Sequence, residues 1–125
     1  MKIGNDSNFI EILPAPSAAG QKVYSVRVHI SDSRSECTLR NDAVVFDLSE
    51  AVRLALVVFE SLVQHTFRFA VAGDGFVEIS RENKDTMMVS YRIPTFERNG
   101  FLEGKVAVRG DYSFNIVREI RKLFG

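Results

Sequence analysis

From Lys22 onward apolar and polar residues alternate, with Tyr24, Val26, Val28 and Ile30 on one side and Ser25, Arg27, His29 and Ser31 on the other. That period of two is the mark of a strand with one dry and one wet face. Phe9–Leu13 forms a shorter strand before it, ended by Pro14, and Glu36–Leu39 returns after the polar turn Asp32–Ser35. Asn41 and Asp42 are expected to break the chain before Ala43–Phe46. The period then changes. Over Phe46–Gln64, Leu48, Val52, Ala55, Leu56, Phe59, Leu62 and Val63 recur at spacings of three and four, which predicts an amphipathic helix. Val57 and Val58 widen its stripe, so more than half of its circumference is expected to be buried. Asp47 is the expected N-cap, with Glu50 completing a capping-box-like pair and the helix starting near Leu48.

A second β region follows. Phe67, Phe69 and Val71 alternate with Arg68 and Ala70, Gly73-Asp74-Gly75 supplies a tight reversal, and Phe76–Ser80 runs back. After the polar turn Arg81–Asp85, Thr86–Ile93 places Met87, Val89, Tyr91 and Ile93 on one face up to Pro94. Phe101–Arg109 is a further strand with Leu102, Val106 and Val108 aligned, and Tyr112–Phe124 reads as a second amphipathic helix, with Asp111 or Ser113 to cap it. The order is β-β-β-α-β-β-β-β-α. It predicts an α+β fold: a twisted, largely antiparallel sheet of six or seven strands with both helices on one face, or that sheet curled towards a half-barrel.

Composition narrows the function. A chain of 125 residues, 46% hydrophobic, suffices for one core, so residues 1–125 are expected to form a single domain. Sixteen basic residues balance sixteen acidic ones, which argues against a nucleic acid or an anionic membrane as partner. The only cysteine, Cys37, cannot form an internal disulfide, and with no secretory pattern at the start the cytoplasm is the expected compartment. No run is long and apolar enough to cross a bilayer.

Reactive constellations are sparse. His29, His65 and Cys37 lack metal-ligand spacing, and no metal or cofactor is expected. Cys37 and His29 sit on adjacent hairpin arms, where one register alone would let them act as nucleophile and base; a buried structural cysteine is the competing reading. Gly73-Asp74-Gly75 lacks the Lys-Ser/Thr of a phosphate loop, and the carboxylates Asp74, Glu78, Glu82 and Asp85 do not match a calcium loop. No catalytic residues are assigned. Arg109, Arg118, Arg121 and Lys122 either form a small anion-facing patch or complement a helix C-terminus. In the loop TFERNGF, Phe96, Arg98 and Phe101 have the composition of a protein contact, unless the two rings fold back onto the core.

The strands NFIEILP and KVYSVRVHIS, the helix DLSEAVRLALVVFESL, the hairpin RFAVAGDGFVEIS and the closing GKVAVRGDYSFNIVREIRKLFG resemble, in order and pattern, small bacterial immunity proteins of the WapI type and related domains. The resemblance spans most of the chain and implies a cytoplasmic antitoxin of a contact-dependent growth inhibition system. Its partner would be a cognate toxin domain, blocked by occlusion without turnover, and a homodimer is compatible with it. The rival readings are a small-molecule or peptide-binding module and an enzyme of unrecognised type.

Overall fold

The computed structural model describes residues 1–16, 20–62, 64–97, 99–109 and 112–124, with 112–114 described by backbone alone. Eight strands and two helices follow in the order β1 (Lys2–Gly4), β2 (Asn8–Ala15), β3 (Val23–Ser31), β4 (Glu36–Val44), α1 (Glu50–Glu60), β5 (Thr66–Val71), β6 (Gly75–Arg81), β7 (Thr86–Pro94), β8 (Phe101–Arg109) and α2 (Tyr112–Phe124). The strands form two four-stranded sheets, β1-β2-β3-β4 and β5-β6-β7-β8, with antiparallel neighbours throughout.

The α+β class holds, and the single sheet of six or seven strands is corrected to two sheets of four. Alternation shows that a face is covered without showing by what. Helices of 11 and 13 residues are only about 16 and 20 Å long, too short to roof eight strands. Residues of both sheets and both helices share one buried cluster, so each sheet is covered in part by the other.

A chain of rings ties the layers together. Phe59 of α1 lies 6.0 Å from Phe67, Phe67 lies 5.7 Å from Phe69, Phe69 meets Phe46 edge-on at 5.3 Å, and Phe46 reaches Tyr24 of the first sheet at 5.2 Å. All five are buried. Val45–Asp47 crosses to the edge of β5, where Ala72 N–H donates to Val45 and Asp47 N–H donates to Ala70, both at 2.9 Å.

Two local readings change. β4 runs through Asn41 and Asp42, because Asn41 is buried and occupied: its amide donates to the Pro94 carbonyl at 3.0 Å, and its oxygen accepts from Ala43 N–H at 2.9 Å. The irregularity appears instead as a register shift between Tyr24 and Val26. The N-cap of α1 is Ser49, whose hydroxyl accepts from Val52 N–H, while the Asp47 carboxylate accepts from Ser49 N–H at 3.1 Å. The helix ends at Glu60, and Leu62 takes a positive φ of 68°. Val63 of the expected helix and Asp111, one of the two expected caps of α2, lie outside the described residues. Ser113 falls within α2.

The chain repeats itself, since each half is a four-stranded meander followed by a helix. The helices match in detail. Val52, Leu56 and Phe59 face the core from α1 at the spacing with which Ile116, Ile120 and Leu123 face it from α2.

Candidate functional site

The two helices diverge on their outer faces. At the positions where α2 carries Asn115, Arg118, Glu119 and Lys122, α1 carries Ala51, Leu54, Ala55 and Val58, and all four of these are exposed. Val57 stands where α2 has Arg121. The exposures are 54% for Leu54, 56% for Val57, 37% for Val58 and 69% for Leu62. The expectation that α1 is buried over more than half its circumference is therefore corrected. Only Leu56 and Phe59 are buried, because a core of two sheets leaves the helix one contact face.

Beside the C-terminal end of this strip an open groove of about 1020 Å³ runs between α1, the β6–β7 turn and α2. Leu62, Met87 and Val117 provide its apolar lining, and Arg81, Lys84, Arg118 and Arg121 face Glu60 and Glu82 around it. Two of the cations are engaged. Arg81 donates to the carbonyls of Phe59 at 2.7 Å and Gln64 at 3.1 Å, and its guanidinium stacks 3.8 Å from the Phe59 ring centre. It thereby closes the carbonyl end of α1. Burial draws the Arg81 pKa down, with the nearby Glu60 charge opposing the shift. Arg121 makes a two-pronged contact to Glu60, with its Nε at 3.1 Å. Among the described residues no ion pair engages Lys84 or Arg118. The strip was not singled out from the sequence, and of the groove Arg118 and Arg121 were, as members of a small anion-facing patch with Arg109 and Lys122. The usable signal was the contrast between the two helices at equivalent positions.

The sequence-predicted contact loop lies elsewhere. Phe96 is 67% exposed. Phe101 is 37% exposed, with the Arg92 guanidinium stacked 3.8 Å from its ring centre. Arg98 lies outside the described residues. Arg68 stacks on Phe76 in the same way, and Phe76 stands opposite Arg92, so cations and rings alternate across the outer face of the second sheet.

His29 and Cys37 do not converge. Cys37 pairs with Ile30 in the β3–β4 ladder and His29 pairs with Thr38, which places them on opposite faces. His29 Nδ1 lies 2.7 Å from the Thr38 hydroxyl, and Nε2 lies 3.7 Å from Glu36. Cys37 is exposed, which corrects the buried structural reading. Among the described residues no three His, Cys, Asp or Glu side chains gather in a metal-holding group. The Gly73–Asp74 reversal is a hairpin turn, with φ of 97° and 69°. Among the described residues no helix is long and apolar enough to cross a membrane.

Compared with known proteins, the chain matches no family model, no curated protein and no solved structure.

Proposed function

We propose that this domain works by holding another protein, and that the exposed strip Leu54, Val57, Val58 and Leu62 is the surface that does so. The observation that carries this reading is the contrast within the repeat. The α2 positions equivalent to Leu54, Val57 and Val58 carry the charged Arg118, Arg121 and Lys122, so the fold itself does not require an apolar residue there. An uncharged strip of this kind on one side of a helix is a seat for an apolar element of a partner.

Two strips packed on each other would bury only a few hundred Å², against about 800 Å² per partner in a stable interface. A different protein that also reaches the neighbouring groove gains the missing area. The pattern resemblance to immunity proteins gives this partner its specific form, a toxin domain occluded without turnover, in the cytoplasm of the producing cell.

The test is co-expression with the product of the neighbouring gene. The wild-type chain should co-purify with it and protect the cell. Leu54→Asp with Val58→Asp should lose both effects while keeping its circular dichroism and melting temperature. Retention of capture by the folded double variant overturns the reading, and so does a wild-type chain that only pairs with itself.

A further inference from the structure

We propose that the groove between α1, the β6–β7 turn and α2 takes an acidic peptide segment, held by Lys84 and Arg118 and anchored through an apolar side chain on Leu62, Met87 and Val117. This deepens the protein-binding reading by naming the chemistry of the partner, and it rests on that reading for its biological meaning.

The argument begins with charge. The whole chain carries equal numbers of acidic and basic residues, yet the groove is lined by four cationic side chains against two carboxylates. What each of them does narrows the field. Arg81 is committed to the end of α1. Arg121 and Glu60 neutralise each other. Glu82 remains as the one opposing carboxylate. Lys84 and Arg118 stand on different elements on either side of the groove, each exposed. The carbonyl end of α1 would repel an anion, but the Arg81 guanidinium covers it.

The apolar residues decide what kind of anion fits. A bare phosphate or sulfate would leave Leu62, Met87 and Val117 unused. A segment that alternates carboxylates with leucine-like side chains satisfies both parts of the groove. Leu62, just past the end of α1, belongs to the groove and to the exposed apolar strip at once, so one partner can run continuously from the first to the second.

The experiment uses the full chain and a fluorescent peptide of mixed Leu and Glu, with a Leu/Lys peptide of the same length and a single-stranded oligonucleotide as competitors. The Leu/Glu peptide should bind, weaken as salt is raised, and lose about tenfold or more in affinity in Lys84→Glu with Arg118→Glu. Lys84→Ala with Arg118→Ala should show a smaller loss in the same direction and an unchanged melting curve, which separates a contact effect from misfolding. Binding that survives Leu54→Asp with Val58→Asp supports the groove independently of the strip. No binding of the Leu/Glu peptide, equal binding of the Leu/Lys peptide, or displacement by the oligonucleotide at comparable concentration overturns the proposal. In each case partner capture through α1 is still read by co-purification, so the two ideas fail separately.

Discussion

Gly104 stands directly opposite Tyr91 in the β7–β8 ladder, and the tyrosine ring lies across it, with Cζ 2.7 Å from where a Cβ on Gly104 would sit. The glycine is there to make room for the ring. Gly104→Ala should therefore cost about 1 to 3 kcal/mol by overpacking, measured by urea unfolding. In a Tyr91→Leu background the cost of the same change should shrink. An equal cost in both backgrounds would show that the ring is not what Gly104 accommodates.

The Tyr91 hydroxyl itself is buried without a hydrogen-bond partner among the described residues. Tyr91→Phe removes a group whose water is lost and not replaced, so it should be neutral or stabilise by about 1 kcal/mol. A clear loss of stability in the same assay would mean that the hydroxyl is satisfied in solution.

Asn41 holds the two sheets together through its bond to Pro94, a residue 53 positions away. Asn41→Ala leaves a buried carbonyl and a β4 N–H without their partner, and should destabilise by about 1 to 3 kcal/mol. Asn41→Asp should be worse, since the donor to Pro94 becomes a charge. Thermal unfolding of the two variants side by side checks the order.

High pH should unfold the chain in a particular way. Burial raises the pKa of Tyr24 and Tyr91 above the ordinary 10.0, with the charge of Cys37 adding to the shift at Tyr91. The folded state holds these phenolic protons longer than the unfolded chain does. Their contribution to stability is whole below about pH 10 and is lost as pH rises through the raised values. Because the chain has three tyrosines and no tryptophan, phenolate absorbance is easily read. The signal of two of the three should appear together with the loss of circular dichroism. Complete phenolate formation in a chain that keeps its native spectrum contradicts this account.

Position on α1 should separate two kinds of damage. Phe59→Asp puts a charge into the ring chain of the core and should abolish folding. Leu54→Asp, five residues earlier on the outer face, should leave the melting temperature within a few degrees.

Much of this architecture was legible because local chemistry decided it. The β5–β6 hairpin follows from Gly73-Asp74-Gly75, the inward row of β7 from strict alternation up to Pro94, and the limits of α2 from its periodicity. What was missed depended on partners distant in the chain. Asn41 and Asp42 read as a break because the Pro94 carbonyl that Asn41 serves is invisible from its neighbours. The division into two sheets was hidden because an apolar row is the same whether a helix or another sheet covers it. The outer residues of α1 read as core because apolar character shows a wish to be covered without saying whether this chain or another does so. In the sequence, the shared Asp-x-Ser ahead of the core positions, at Asp47-Leu48-Ser49 and Asp111-Tyr112-Ser113, was a readable sign of the repeat.

That doubling carries an obligation. The helix that closes the first half lays Phe59 against Phe67 of the second, so the halves are interlocked and not merely set side by side. Severed between Ser61 and His65, the amino-terminal piece would carry a bare phenylalanine away with it and the other would keep an uncovered aromatic row. A gene encoding only the first unit would leave its helix without the strand it packs on, and joining the two in one reading frame keeps that helix on the second half while α2 stays on β8 of its own.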